Sequence, residues 1–469
     1  MFENRQVIVL DRMDPEVLAM LQAFYSRSDK SITERLNSLG DDEEHIKESL
    51  KRYYIGYGHS SIADCADITL FIENVSFLMA KTIQDDSLYN GQETSTRYFD
   101  FENREIISPL SALYPALTEL QKQMVALYAK IRPRVLQRIR EAHPFVVGVY
   151  SRGKEMSIER QRELWENATN ARSFDITRGL LPAGMTTQLS WKASLRRIGE
   201  RLNTMQGHPC LEMNSLARSL LAQLQERYPS SFKMDEAPEN YPFYDLDTEA
   251  ADMNLDVGEV HYKVNTQFRE MPDTGMAAQF LLNRSRFDVV PNYYNMYGEF
   301  MYEFLLDWGS YRDIQRHRNG QCAQPMLGAY SINGTSNMFH PWYLEQMGED
   351  EKEVSDFIYV AYQELDKVAD HFQAHNEQGA YEFYAALQYY YPLGTVVPVT
   401  LKYGLAEAIY VAELRSQATV HPTLRPIAHQ IARSVRDVFP SIPLFTDDSE
   451  DGLVIKRGSQ TILERTDEA

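Results

Sequence analysis

A chain of 469 residues is too long for one ordinary domain and predicts two large ones. Its formal net charge of −20 argues against polymeric nucleic acid as a partner, because polyanion-binding proteins present a net basic surface; a small anion stays open, since a local arginine cluster outweighs distant carboxylates inside a cleft. Three cysteines, Cys65, Cys210 and Cys322, without a Cys-x-x-Cys pair, exclude a disulfide framework and a structural zinc, and point to a reducing, cytoplasmic compartment.

The chain opens Met1-Phe2-Glu3-Asn4-Arg5 and continues through Val7-Ile8-Val9-Leu10, which reads as a first strand rather than a leader peptide. No apolar stretch approaches the ~20 residues of a membrane span, so no membrane is expected as a partner. Apolar residues at helical spacing predict helices over 15–25, 66–83, 111–142, 191–202 and 211–227, then over 302–316, 353–384, 406–415 and 427–438. Between these sets, 234–256 is polar and acidic, carries two prolines and shows no helical period. It reads as a linker dividing an N-terminal half, 1–233, from a C-terminal half, 257–469.

The halves share an order of punctuation. Pro182-Ala183-Gly184, His208-Pro209-Cys210 and Tyr228-Pro229-Ser230 in the first are answered by Pro392-Leu393-Gly394, His421-Pro422-Thr423 and Phe439-Pro440-Ser441 in the second. The first pair of marks is 26 residues apart in one half and 29 in the other; the second pair is 20 and 18 apart. Chance likeness of two helical halves is the alternative; the shared order favours an internal duplication.

Three short segments carry candidate chemistry. Gln92-Glu93-Thr94-Ser95-Thr96-Arg97-Tyr98 offers a hydroxyl, backbone N–H groups and a guanidinium to one anion, and arginine suits phosphate because its planar fork binds two oxygens at once. A solvated turn is the bland reading. Gly58-His59-Ser60-Ser61 precedes an apolar stretch and can bring an imidazole and free N–H groups to a planar or anionic ligand; a serine N-cap beside an incidental histidine is its alternative. In Arg316-His317-Arg318 neighbouring side chains fan apart by about 100°, so the two arginines can address different ligands, or can simply be cations placed at a helix C-terminus.

Together these segments resemble the flavin-dependent thymidylate synthases, the ThyX family, whose signature joins Arg-His-Arg through a short spacer to Glu-x-Ser-x-Arg-Tyr. Here the signature is divided. Glu93 to Tyr98 matches its second part, but Asp85-Asp86-Ser87 stands where Arg-His-Arg belongs. Arg316-His317-Arg318 matches the first part, but Gln324-Pro325-Met326-Leu327-Gly328 has lost the serine and arginine. The family's arginine before Leu-Pro is kept as Arg178 and lost at Gln388; its late helix-end arginine is kept as Arg415 and lost at Asn203. In the family one subunit supplies one share of each active site and a neighbour the other. The losses here follow that division, which implies one composite site built from both halves and a homodimer forming a pseudo-tetramer.

The resemblance implies an α+β fold of two tandem ThyX-like domains, each with helices packed on a small antiparallel sheet. It implies reductive methylation of dUMP at C5, with methylenetetrahydrofolate as co-substrate, FAD as cofactor and NADPH as reductant; no metal is implied. Glu93, Ser95, Arg97, Arg178, Arg316 and Arg415 would bind the nucleotide, Arg415 and Arg316 acting in catalysis, with Arg415 stabilising a deprotonated uracil ring. His59, Ser61, Arg316, His317, Arg318, His208 and His421 would face the flavin. The family's Asn-x-Arg contact to the adenosine of FAD is missing at Lys192-Ala193-Ser194 and at Gly404-Leu405-Ala406. Another C5 modification of a pyrimidine nucleotide and a non-catalytic nucleotide- or flavin-binding homologue are therefore the alternatives.

Overall fold

The computed structural model describes residues 8–10, 13–39, 60–149, 156–232, 252–253, 255–266, 276–286, 288–328, 331–332, 337–375, 379–450 and 453. Helix α1 (Pro15–Tyr25) starts with a proline after Asp14, whose carboxylate accepts from the backbone N–H groups of Glu16 at 2.9 Å and Val17 at 3.3 Å. Strand β1 (Asp67–Ser76) buries Ile68, Ile72 and Val75, leaves Phe71 exposed, and runs directly into α2 (Phe77–Gln84) with Ser76 as N-cap. Two long helices follow, α3 (Pro115–Ala142) and α4 (Ile158–Thr177), then a 3-10 turn at Arg178–Leu180. Strand β2 (Thr186–Ser194) passes through its capping Ser194 into α5 (Leu195–Met205), and α6 (Leu211–Arg227) comes next.

The second part of the chain repeats this alternation. Strand β3 (Val260–Asn265) is followed by β4 (Glu299–Asp307), which continues into α7 (Trp308–Ile314) with Asp307 as N-cap. After β5 (Gln321–Ala323) come α8 (Glu351–His375), α9 (Ala380–Leu387) and a 3-10 turn at Gln388–Tyr390. Strand β6 (Val396–Gly404) enters α10 (Leu405–Arg415), and α11 (Arg425–Val438) closes the series. Strands β3, β4, β6 and β5 lie in that order in one antiparallel sheet, with Tyr302 facing Tyr262 on one side and Leu401 on the other; β1 and β2 form a two-stranded sheet. The architecture is α+β.

The expected helices over 66–83, 191–202 and 302–316 are each a strand end followed by a shorter helix. The reason is local. On β4, Phe300, Tyr302 and Phe304 are buried while Met301 is exposed and Glu303 half-buried, a two-residue period that the following helix then breaks. A serine or aspartate at each of these junctions accepts from the third residue on: Met79 N–H at 3.0 Å from Ser76, Arg197 at 3.2 Å from Ser194 and Ser310 at 2.9 Å from Asp307. The strand expected over 7–10 is not formed at residues 8–10, where Ile8 and Val9 are exposed; Val7 lies outside the described residues. Most of the expected linker 234–256 also lies outside them, although Asp252–Met253 pairs with Ser331–Ile332. Among the described residues no helix is long and apolar enough to cross a membrane.

Contacts gather into two compact units. One comprises 1–73, 88–93 and 188–243; the other comprises 74–87, 94–187 and 244–469. The second unit therefore draws on both sequence halves. Within it the segments 178–184 and 388–394 exchange four backbone hydrogen bonds of 2.8 Å: Ala183 N–H to Tyr391 O, Leu393 N–H to Leu181 O, Gly184 N–H to Tyr389 O and Gly394 N–H to Gly179 O. Each bond has a counterpart 210 positions away. The same displacement relates Thr186–Ser194 to Val396–Gly404 and Leu195–Met205 to Leu405–Arg415.

This exchange needs glycine at 184, where a Cβ would lie 2.5 Å from the Ile107 carbonyl oxygen and 2.9 Å from that of Tyr389. Gly184→Ala is expected to cost about 1–3 kcal/mol in denaturant unfolding, the range for overfilling a packed site. Gly199→Ala is the control. Its Cβ would meet the Phe232 ring at 3.5 Å inside α5, so stability should hold or rise by up to about 1 kcal/mol.

Candidate functional site

The cap that ends β4 also organises polar groups in the second unit. Asp307 accepts from the Ser310 N–H and, at 2.8 Å, from the Tyr343 hydroxyl. This holds the Ser310 hydroxyl where Arg178 donates to it at 2.8 Å; a second Arg178 nitrogen lies 3.5 Å from the Thr96 hydroxyl. Arg178 is only 2 % exposed. Burial works against its charge, yet Tyr343, Asp313 and Asp307 around it raise its pKa. Arg97 forms a two-point pair with the fully buried Asp175, at 2.6 and 3.2 Å, and donates to the Thr419 carbonyl at 2.9 Å. Its own N–H donates to the Ser95 hydroxyl oxygen at 3.2 Å, which shapes the turn around it.

One carboxylate lies at the focus. Asp313, on α7, has Oδ2 3.7 Å from an Arg178 nitrogen. Burial alone would raise its pKa, but Arg178, Arg316, Arg415 and Arg97 hold it well below the usual carboxylate range. The four arginines named from sequence, two from each half, all lower the pKa of this acid. Among the described residues Asp313 Oδ2 is buried without a hydrogen-bond donor.

Arg415, at the end of α10, is held by two neutral acceptors: its Nε donates to His317 Nε2 at 2.8 Å and a terminal nitrogen to the Asp313 backbone carbonyl at 2.5 Å. A guanidinium has no lone pair to offer, so His317 Nε2 must be the acceptor and the ring proton must sit on Nδ1. Nδ1 faces Glu407 Oε1 at 3.5 Å. Burial lowers the His317 pKa to about 4, with Arg415 adding to the effect and Glu407 opposing it. The ring is neutral near pH 7.

Other sequence-named residues stand as follows. Arg316 is exposed just beyond α7, and Arg318 and Ser95 are half-buried. His421 is 0 % exposed: Nε2 lies 3.1 Å from the Asp175 carbonyl, and Nδ1 lies 2.8 Å from the Thr423 hydroxyl and 3.2 Å from that of Ser310. Burial, and then Arg178, Arg97 and Arg172, keep its pKa well below the ordinary histidine value. Both ring nitrogens are engaged inside the protein. Glu93, Ser61 and His208 belong to the first unit. There Glu93 forms an isolated bridge with Leu189, Ser61 is exposed, and the buried His208 accepts from Cys210 N–H at 2.9 Å. His59 lies outside the described residues.

Sequence reasoning missed Asp313, Asp175 and Glu407. A signal existed for two of them: Asp313 stands three residues before Arg316, and Asp175 three before Arg178, the spacing at which helical side chains meet. Glu407 has no such signal, since His317 is far away in sequence.

Two outcomes check this geometry. The neutral His317 makes stability pH-dependent with a definite sign. Its folded pKa of about 4 lies below the ordinary 6.5, so the unfolded chain takes up the proton first as pH falls. The contribution is complete above about pH 6.5 and lost toward pH 4, roughly 3 kcal/mol for a shift of that size. Urea unfolding between pH 7 and 4 should show this slope, and His317→Gln, which keeps an acceptor for Arg415, should flatten it. Asp313→Asn, isosteric but uncharged, should tighten binding of inorganic phosphate about tenfold in calorimetric titration, because one carboxylate no longer competes for the arginines.

Residues 8–230 match the family model described as thymidylate synthase complementing protein. A UPF0159 protein of Thermoplasma acidophilum is 22% identical over 461 residues, covering 86% of this chain and 88% of its own. A UPF0159 protein of Chlamydia pneumoniae is 22% identical over 482 residues, covering 91% and 85%. A solved structure, the flavin dependent thymidylate synthase ThyX of Helicobacter pylori complexed with FAD and dUMP, is 18% identical with a TM-score of 0.26; the match covers 47% of this chain and 96% of that one. Over residues 8–230, therefore, the chain is similar to the thymidylate synthase complementing proteins, the ThyX family.

Proposed function

We propose that this chain is a flavin-dependent thymidylate synthase-like enzyme that binds a pyrimidine nucleotide, dUMP or a close relative, in one composite site made from both halves. The observation that carries this reading is the gathering of Arg97, Arg178, Arg316 and Arg415 within one compact unit, where Arg178 lies 3.7 Å from the Asp313 carboxylate and Arg415 donates to the Asp313 backbone carbonyl. Four guanidiniums around one acid suit a ligand that brings further negative charge, and the exposed Arg316 lets that ligand be met from solvent. Arg97, paired with Asp175, and Arg178, bonded to Ser310, would hold the phosphate and sugar, with Ser95 beside them. Arg415 is aimed by acceptors that carry no charge, so its own charge is available to a deprotonated uracil ring.

The reaction in this reading is reductive methylation at C5, with methylenetetrahydrofolate giving the carbon, reduced FAD the reducing equivalent and NADPH restoring the flavin. A cysteine nucleophile has little support: Cys210 is buried, burial pushes the Cys322 thiol up to about 12, and the thiol of the exposed Cys65 is also raised, by desolvation and then by Asp64. The flavin fits the described residues less well than the nucleotide does. His317 and His421 spend their ring nitrogens inside the protein, which leaves Arg316 and Arg318 as the accessible members of the flavin-facing set in the second unit. The same observation favours a second reading, a nucleotide-binding homologue without flavin chemistry. The reciprocal bonds between 178–184 and 388–394 and the constant displacement of 210 support a duplicated chain with halves 1–233 and 257–469. In this reading the chain assembles as a homodimer of pseudo-tetrameric form.

The test is direct. The purified protein, supplemented with FAD, should show a flavin absorption spectrum that dUMP perturbs. Arg316→Ala should weaken dUMP about 10- to 100-fold, as loss of a charge-assisted contact implies, and should leave folding intact because the side chain is exposed. Equal affinity for dUMP and deoxyuridine would remove the phosphate reading. Binding of dUMP without uptake of FAD would select the second reading.

A further inference from the structure

Arg415 is a half-buried cation whose two hydrogen-bond acceptors are both uncharged, so the direction of its guanidinium depends on those acceptors staying acceptors. Its Nε donates to His317 Nε2 only while that nitrogen lacks a proton. A neutral imidazole can carry its proton on either nitrogen, and the wrong tautomer would set two donors face to face across 2.8 Å. The choice is made on the far side of the ring, where Nδ1 meets Glu407 Oε1. Glu407 is itself only 5 % exposed, and its other oxygen accepts from Asn319 Nδ2 at 3.2 Å, so the carboxylate cannot swing away freely. Tyr410 closes the ring's edge, with centroids 5.8 Å apart and planes at 67°. Glu407, Tyr410 and Arg415 all belong to α10, which therefore carries the group being aimed, the group that aims it, and the ring that limits the imidazole's rotation.

We propose that Glu407 is a positioning residue of the candidate site: by placing the His317 proton on Nδ1 it keeps Nε2 free to accept from Arg415, and so sets the direction of the Arg415 guanidinium. An orienting carboxylate behind a histidine is a general device for fixing which nitrogen faces the working group. Here the working group is a cation rather than a nucleophile or a metal. Removing Glu407 would let the Nε2–H form appear, and Arg415 would lose one of its two anchors. The tautomer claim stands on geometry alone; the consequence for dUMP rests on the nucleotide reading above.

The experiment uses the full chain labelled with nitrogen-15 at histidine. The His317 resonances of the unaltered protein should report an Nδ1–H tautomer; an Nε2–H tautomer would overturn the proposal without any variant being made. Glu407→Gln retains an oxygen that accepts from Nδ1–H, so the tautomer and the affinity for dUMP should both stay near those of the unaltered protein. Glu407→Leu should populate the Nε2–H form and weaken dUMP about tenfold, with an unchanged far-UV spectrum. Should Glu407→Leu keep both the tautomer and the affinity, Glu407 is structural only. If none of these proteins binds dUMP while the tautomer still shifts in Glu407→Leu, the nucleotide reading fails and the positioning role survives.

Discussion

Four guanidiniums acting on one mostly buried carboxylate are a costly arrangement, and much of the second unit is explained by what that arrangement requires. Arg178 is the member taken fully out of water, and burying such a charge costs several kcal/mol, recovered only where geometry and further hydrogen bonds are good. Arg97 has a buried partner of its own in Asp175, Arg178 has the Ser310 hydroxyl, and Arg415 has a neutral imidazole and a backbone carbonyl. Asp313 is left with an oxygen that no donor reaches among the described residues. The cluster is thus well braced on its protein side and less fully satisfied at its centre.

The bracing depends on backbone features that have nothing to do with charge. Asp307 ends a strand and starts a helix, and that one cap places Ser310, Asp313 and, just past the helix, Arg316 and His317 in sequence around the cluster. Arg178 sits in a 3-10 turn leading into a segment whose N–H and carbonyl groups are paired with its counterpart 210 positions on. Where Arg178 stands in one segment, Gln388 stands in the other, its side-chain oxygen accepting from Leu327 N–H at 3.1 Å. Gln388 thus serves as an internal strut, where Arg178 carries a charge.

The histidines divide by their surroundings rather than by their sequence context. His421 and His208 both precede proline, and each accepts a backbone N–H two residues on, at 3.4 and 2.9 Å, so both serve a local turn. His317 accepts from Arg415 through Nε2 and turns its Nδ1 toward the Glu407 carboxylate. Such roles follow from burial, which favours the uncharged ring, and from the donors and acceptors that happen to face each nitrogen.

Sequence by itself singled out four cations that the fold gathers into one compact unit. Arg97, Arg178, Arg316 and Arg415 were legible because a guanidinium kept beside glycine, serine and proline marks in one half and lost in the other stands out against helical text. It also determined the α+β character and the limits of α1 and α6, where cap, period and punctuation agree. Tertiary structure decided the rest. Strand ends at 66–76, 191–194 and 302–307 were hidden because one apolar-rich run can satisfy a helical period locally, and only pairing with a distant strand selects the extended form. The acids Asp313, Asp175 and Glu407 were hidden for a related reason. A carboxylate on a helix is a solvated residue until folding brings cations from remote segments to it, and which cations arrive is a property of the packing, not of the neighbours in the chain.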